Sequence, residues 1–435
     1  MSSSVELLGR IGRADANVAV LGQGYVGLTL ACAVAEAGHT VTGIDVDAER
    51  VRALGERPDA VPGVDPATVT HAIATGRLRF TTDVAAVADA QIVAICVPTP
   101  LLDGAPDLRF VERAARDAAA CLRPGTLVIL ESTTYPGTTE TVVRPILESG
   151  GLRSGIDFLL AYSPERVDPG NREHGMRSTP RLVGGDTPQA ATAAASFYGA
   201  FVDKVLPVSS TGVAETAKLL ENTFRHVNIA LINEFAELAH ELGIDLWEVI
   251  DAAATKPFGF MPFYPGPGVG GHCIPLDPTY LSWEVRRRTG RRFGVLEAAQ
   301  DVNDRMPTYV ATRVAEILND VGRPVRSSRI LVLGVTYKAD VGDVRESPGL
   351  AVLTALQQRG AEVSYHDPFV PAVFLSFGEL HAEPDLDGAL ERADLVVLVT
   401  PHPSYDLDDI AERSRVVFDT RNAYRGVGPE NVIPL

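Results

Sequence analysis

Asn17-Val18-Ala19-Val20-Leu21-Gly22-Gln23-Gly24-Tyr25-Val26-Gly27 is the stretch from which the fold of this chain is read. Its first five residues read as a buried parallel strand. The glycines that follow permit a tight turn and a close approach of backbone to a ligand. Leu28 to Ala37 has helical composition and stops at Gly38, and Thr40 to Ile44 reads as a second strand ending in Asp45. Strand, glycine turn, helix, strand and acid in this order form a dinucleotide-binding unit, with a pyrophosphate on the helix N-terminus. Gly22, Gln23, Gly24, Tyr25, Val26 and Gly27 are therefore cofactor-loop residues, and Asp45 stands where a carboxylate accepts from an adenosine ribose. An acid here favours NAD over NADP, because it repels a 2′-phosphate. Arg50 leaves that choice open, and it equally suits a place over the adenine or on a phosphate.

The α/β pattern continues. Ala90 to Val97 is a strand ending in Pro98-Thr99-Pro100, Phe110 to Leu122 a helix, and Thr126 to Glu131 a strand ending in Ser132-Thr133-Thr134. Ligands of doubly wound sheets lie outside the C-terminal strand ends, so Pro98, Thr99 and Thr133 are cofactor candidates. Ordinary helix capping is the other reading of the threonines. Phe158 to Tyr162 ends in Ser163-Pro164-Glu165-Arg166-Val167-Asp168-Pro169-Gly170, which puts Glu165 at another strand end. Leu182 to Gly185 and Val205 to Val208 close this part, and a short polar arm precedes it.

The centre is helical: about Thr211 to Leu242, then Asp245 to Ala254, Thr279 to Arg288 and Val295 to Leu318. Lys218, Asn222 and Arg225 are spaced i, i+4, i+7 and share one helical face. A solvated polar face is the plain reading. Against it, only four of the 39 basic residues are lysines (Lys204, Lys218, Lys256 and Lys338), and an ammonium does chemistry that a guanidinium cannot. Between the helices lies Tyr264-Pro265-Gly266-Pro267-Gly268-Val269-Gly270-Gly271-His272-Cys273-Ile274-Pro275-Leu276-Asp277-Pro278. Four glycines and four prolines exclude helix and strand, leaving a shaped loop. Taken alone, Cys273 reads as an inert thiol.

From Arg329 the α/β pattern restarts. Arg329 to Val335 imitates the first strand, Glu362 to Asp367 the one ending in Asp45, and Asp394 to Thr400 and Val416 to Asp419 add two more. The remaining fingerprint glycines are missing. Lys338 to Arg345 and the strand-end Arg421 put cations where a nucleotide diphosphate would bind; salt bridges with Asp340, Asp343 and Glu346 are the alternative. The expected class is thus α/β, with two Rossmann-like doubly wound domains, 1–208 and 323–435, joined by a central long-helix domain, 209–322.

The net charge of −17 on 435 residues argues against a nucleic-acid or membrane-surface partner. Met1 to Glu6 lacks the basic and apolar run of a secretory leader, and no apolar stretch reaches membrane-spanning length. Cys32, Cys96, Cys121 and Cys273 are far apart with no CxxC pair, so no metal site is expected, and a reducing cytoplasm suits them. His272, Cys273, His366 and Asp367 do not form the paired spacing of structural zinc.

Over nearly its whole length the chain resembles the nucleotide-sugar 6-dehydrogenases, the UDP-glucose/GDP-mannose dehydrogenase family. The motifs are Gly22 to Gly27, Cys96 to Pro100, Glu131-Ser132-Thr133, Ser163 to Arg166, Lys218 with Asn222, Gly270 to Cys273, Lys338, and Asp343-Val344-Arg345-Glu346-Ser347-Pro348. The resemblance implies two Rossmann-like domains joined by a long helix, a homodimer through the central helices, and NAD in the first domain. It implies that Cys273 is the nucleophile, Lys218 the oxyanion stabiliser assisted by Asn222, and Asp277 and Glu165 the managers of protons and water, with Thr133 near the same water. Glu165, Arg166, Val167, Lys218, Asn222, Arg225, Tyr264, Gly266, Gly268 and Gly270 would hold the sugar nucleotide, with Lys338 and Arg421, and Arg345 would reach the cofactor. The implied reaction is a four-electron oxidation of a C6 alcohol. Its second half needs a thiolate to form a thiohemiacetal and a cation for the oxyanion.

Family members acting on UDP-glucose usually carry Ser where this chain has His272. Thr255 to Gly268 and Ser163 to Gly170 resemble the branch acting on UDP-N-acetylglucosamine and UDP-N-acetylmannosamine. A UDP-N-acetylhexosamine is therefore the expected substrate, with UDP-glucose or dTDP-glucose as the alternative. More distant alternatives are a two-electron hydroxy-acid dehydrogenase, which needs no cysteine, and a non-catalytic NAD sensor, which has no use for Cys273, Lys218 and Asp277 together.

Overall fold

The structure is a computed structural model that describes residues 2–57, 59–167, 174–271, 274–426 and 428–435. His272, Cys273 and Asp168 to Gly170 lie outside the described residues. The chain forms two compact bodies. The first holds Met1–Glu221 and Thr279–Gly290, the second Asn222–Pro278 and Arg291–Leu435.

The first body is built on eight strands: β1 (Asn17–Leu21), β2 (Thr40–Ile44), β3 (Leu78–Thr81), β4 (Ile92–Ile95), β5 (Leu127–Leu130), β6 (Leu159–Tyr162), β7 (Arg181–Gly185) and β8 (Val205–Val208). Their order is β8-β7-β6-β5-β4-β1-β2-β3. From β3 to β6 all pairs are parallel, in the doubly wound dinucleotide order. Every residue of β4, β5 and β6 is buried, as a parallel sheet covered on both faces requires. Alternation divides β1 between two cores: Val18 and Val20 face one, Ala19 and Leu21 the other.

Two features depart from the sequence reading. The polar arm is a helix, Ser2–Gly12, because Leu7 and Ile11 lie one turn apart on one face and bury into the Val18 core. At the far edge β7 runs antiparallel to β6, with Ala161 opposite Gly185 and Tyr162 opposite Gly184, while β8 follows β7 in parallel. The helices Ala48–Glu56 and Pro66–Ala74, together with β3, fill the span between Asp45 and β4.

The second body carries β9 (Arg329–Leu333), β10 (Glu362–His366), β11 (Leu395–Leu398), β12 (Val417–Asp419) and β13 (Val432–Pro434). They form an all-parallel sheet in the order β10-β9-β11-β12-β13. A hairpin, Ala372–Leu375 with Gly378–His381, interrupts the α/β alternation. The long helix, Thr211–Leu242, begins in the first body and continues in the second. The central helices share cores with their neighbours. Ala214 joins the first sheet's core, and Val310, Val314 and Ile317 of the helix Gly294–Asp320 pack with Val332, Leu353 and Val397.

Candidate active site

In the first body the turn after β1 makes a cradle. The helix Tyr25–Glu36 starts at Gly24 without a side-chain cap. A Cβ on Gly27 would stand 1.9 Å from the Gly22 carbonyl oxygen, so chain packing demands glycine there. A Cβ on Gly24 would meet nothing within 4 Å. Packing places no such demand at Gly24, and the open space at this helix N-terminus fits an approaching phosphate. Gln23 points inward, its amide donating to the carbonyls of Val20 at 2.8 Å and Gly22 at 3.1 Å, so only its backbone can face the cofactor. Asp45 accepts from the Gln23 N–H at 2.8 Å and the Asp47 N–H at 3.0 Å. Arg50 is drawn onto Asp45 at 3.4 Å. Thr99 is buried beside exposed Pro98, and Ser132 donates to the Val97 carbonyl at 2.7 Å, tying the loops after β4 and β5 together. Thr133 is half-buried in the same loop.

The first turns of the long helix are pinned to the loop after β5. Glu215 accepts from the backbone N–H of Gly137 at 2.5 Å and of Thr139 at 2.9 Å. Three residues on, Lys218 is 8 % exposed. Deeper in the sheet, Arg181 lies between two carboxylates, 2.5 Å from Glu131 and 2.7 Å from Glu165. Burial works to raise the pKa of Glu165, yet Arg181 and two backbone N–H groups outweigh it and leave it below the ordinary value. Glu131, sealed from water, is raised by burial despite Arg181.

In the second body the Asn222 amide donates to the Asp277 carboxylate. Arg225 is exposed, so the helical face read from the sequence runs from buried Lys218 to open solvent. Tyr264 stacks on Trp247 with centroids 5.8 Å apart. The Gly266 N–H donates to Asn233 at 3.0 Å, Asn233 donates to Asn303 at 2.9 Å, and Asn303 in turn donates to the His226 carbonyl at 3.3 Å. A Cβ on Gly266 would stand 2.2 Å from the Arg421 guanidinium, and one on Gly270 would stand 2.7 Å from the Glu346 carbonyl oxygen. The loop glycines, expected to close on a sugar, thus also let the loop press against the C-terminal sheet's own loops. Gly268 sits between them with φ 130°.

Arg421 follows β12, with its Nε on the Val399 carbonyl at 3.3 Å. Burial lowers its pKa to about 10. Asp419 offsets part of this, but its carboxylate is turned to the N–H groups of Arg421 and Tyr424. A desolvated guanidinium of this kind gains from an anion. Lys338 is half-buried nearby in sequence to Arg345, whose guanidinium is bidentate on Asp343. Asp367, at the position matching Asp45, accepts from the N–H groups of Val335 at 2.8 Å and Thr336 at 3.2 Å. His402 closes it at 3.1 Å and accepts from the Asp340 N–H at 3.3 Å.

Comparison with known proteins matches this layout. Residues 16–202 match the NAD binding domain of the UDP-glucose/GDP-mannose dehydrogenase family, 212–305 its central domain and 331–426 its UDP binding domain. The chain belongs to the UDP-glucose/GDP-mannose dehydrogenase family. It is 36% identical over 431 residues to a UDP-N-acetyl-D-mannosamine dehydrogenase of Pyrococcus horikoshii, covering 95% of this chain and all of that one. It is 37% identical over 425 residues to a UDP-N-acetyl-D-glucosamine 6-dehydrogenase of Pseudomonas aeruginosa, covering 97% and 94%. A solved structure of UDP-D-ManNAc dehydrogenase from Pyrococcus horikoshii superposes with a TM-score of 0.85 at 35% identity, covering 96% of this chain and 98% of that one. The protein is an NAD-dependent nucleotide-sugar dehydrogenase.

Several residues of this family member escape sequence reasoning. Arg181 is a cation opening an apolar strand, which was a visible anomaly. Asn233 lies three helical turns beyond Asn222 on the same face, but its partner Asn303 is distant in sequence. His226 and His402 gave no signal.

Two predictions follow from these contacts. Gly27→Ala should weaken NAD binding by about a hundredfold, read by calorimetry, because the added methyl invades the Gly22 turn. Burial lowers His226 from 6.5 to about 4. Between those values the unfolded chain holds a proton that the native state lacks, so stability falls as pH drops from 6.5 toward 4, by on the order of 3 kcal/mol in all. Thermal melts from pH 7.5 to 4.5 should show a shallower acid slope for His226→Gln than for wild type, and equal slopes would exclude His226 as the source.

Proposed function

We propose that this dehydrogenase oxidises the C6 alcohol of a UDP-N-acetylhexosamine to the uronate, with Cys273 carrying the sugar through the second oxidation. The observation that carries the reading is the Tyr264–Gly271 loop seated on Arg421, a half-buried cation, beside a Rossmann-like sheet whose own ribose-binding acid is closed by His402. That combination suits a diphosphate other than the cofactor's. Relatives named for N-acetylmannosamine and N-acetylglucosamine substrates support the acetamido sugar.

Gly22 to Gly27 and Asp45, with Pro98, Thr99 and Thr133, would hold NAD, which when bound supplies the hydride acceptor. Within this reading Lys218 takes the alcohol proton and then stabilises the oxyanion, since a cation at a dry site lowers the barrier by several kcal/mol, on the order of 3. The Cys273 thiolate adds to the C6 aldehyde, and loss of hydride from the adduct leaves a thioester. Asp277, oriented by Asn222, receives the proton of the attacking water, and Thr133 and Glu165 orient that water. Tyr264, Gly266, Gly268, Gly270, Lys338 and Arg421 hold the sugar nucleotide, with Arg166, Val167 and Arg225 toward it, and Arg345 is assigned to the cofactor. Residues 1–208 then serve the cofactor, 209–322 the chemistry and 323–435 the nucleotide.

A second copy is the proposed partner of the long helix. Phe224, Leu231, Phe235, Leu238 and Leu242 repeat at heptad spacing and range from 48% to 72% exposed. Among the described residues no helix is long and apolar enough to cross a membrane, and a reducing cytoplasm suits a thiolate nucleophile.

A panel of UDP-GlcNAc, UDP-ManNAc, UDP-glucose and dTDP-glucose should give two NADH per acetamido sugar consumed. One NADH per sugar would remove the thioester. Cys273→Ser should bind NAD normally yet fail to complete the second oxidation. Light scattering should give twice the monomer mass for wild type and the monomer mass for Leu238→Lys; a monomeric wild type would exclude the helix seam.

A further inference from the structure

We propose that Arg181 is a positioning residue for the reaction: from β7 it clamps Glu165 so that this carboxylate orients a water or substrate group rather than removing its proton.

The geometry is a count of lone pairs. A carboxylate offers about four acceptor sites. Oε1 of Glu165 takes the backbone N–H groups of Arg166 and Val167, both at 2.7 Å. Oε2 takes Nη1 of Arg181 at 2.7 Å. Among the described residues one acceptor site is left open, on Oε2, and the side chain is 11 % exposed, so one small donor can reach it. Arg181 cannot swing away. Its Nε donates to Ser163 at 2.9 Å, Nη2 binds Glu131 at 2.5 Å, and its guanidinium lies 4.4 Å from the Tyr198 ring centroid. The Tyr198 hydroxyl donates to the other oxygen of Glu131 at 2.5 Å.

The electrostatics agree. Among the described residues, the charged and titratable groups around Glu165 include Arg181 on β7, Glu131 after β5, Tyr198 on the helix Pro188–Tyr198, Cys96 after β4, and Arg166 with its ion-pair partner Glu221 on the long helix. Within this set the environment pushes the two carboxyls apart: Glu165 downward, Glu131 upward. A depressed carboxylate stays ionised, so it only accepts hydrogen bonds, and it is a poor base at neutral pH. Glu131 opposes Glu165 for the same cation, so Arg181 and Glu131 shift Glu165 in opposite directions.

This inference deepens the proposed function by assigning Glu165 an orienting part in the same site, and its test separates the two. Infrared difference titration of wild type against Glu165→Gln reads the Glu165 carboxylate without turnover. Its midpoint should lie below 4.5 in wild type, rise by about one pH unit or more in Arg181→Met, return part-way in Arg181→Lys, and fall further in Glu131→Gln. The acid limb of kcat should move in the same directions, with KM for NAD changed less than about twofold. A purely structural Arg181 would lower activity at every pH and leave both midpoints in place. If Arg181→Met does not fold, judged by NAD binding, the isosteric Glu131→Gln decides, because an unmoved or upward midpoint overturns the proposal. A wild type with the expected midpoints but no nucleotide-sugar turnover would overturn the function and leave the clamp standing.

Discussion

A parallel strand ends with backbone N–H groups that the sheet can no longer satisfy, and both bodies solve this with a carboxylate from the strand alongside. Asp45, after β2, takes the Gln23 N–H beyond β1. Asp367, after β10, takes those of Val335 and Thr336 beyond β9. The two bodies part company at the next contact. Asp45 meets the exposed cation Arg50, and the helix beside it begins in open space at Gly24. Asp367 is closed by His402, whose other ring nitrogen is taken by the Asp340 N–H. One acid is left near a ligand cradle, and its counterpart is spent on the fold.

The part of the architecture carried by local rules was legible. Val18 to Leu21, the glycine turn and Asp45 form a contiguous motif whose physics needs only near neighbours. The long helix reads from Thr211 to Leu242 for the same reason, with Gly243 as its stop. The N-terminal helix was missed because Leu7 and Ile11 matter only once the Val18 core exists to receive them. Strand direction at the β6–β7 edge leaves no trace in composition, since Leu182 and Val183 suit either sense. The acetamido branch rested on loop resemblance, and it drew support from relatives and not from any single residue.

The candidate site divides along the same line. Lys218 and Asn222 could be named because scarcity and spacing mark them, Asp277 was named from the family resemblance, and Asn222 donates to Asp277. Cys273, an inert thiol when its loop is taken alone, was named from the resemblance. Asn233, Asn303 and His226 could not be found this way. A polar residue on a helix usually faces water, and only the tertiary structure shows these three buried in a chain that ends on the Gly266 N–H. The loop glycines were expected to close on a sugar; the structure shows Gly266 and Gly270 in close approach to Arg421 and Glu346, which lie far along the chain.

The reversed strand β7 has a consequence for chemistry. In an all-parallel sheet, only residues that close a strand stand at the ligand-bearing rim, and residues that open one stand at the opposite rim. Reversal exchanges the two. Continuing the register of Ala161 with Gly185 and Tyr162 with Gly184 sets Arg181, the first residue of its strand, across from Glu165, just past the last residue of β6. A single change of chain direction therefore delivers a cation to a rim that the other strands furnish with hydroxyls and carboxylates. Drawn as a parallel strand, the same five residues would have put glycine there.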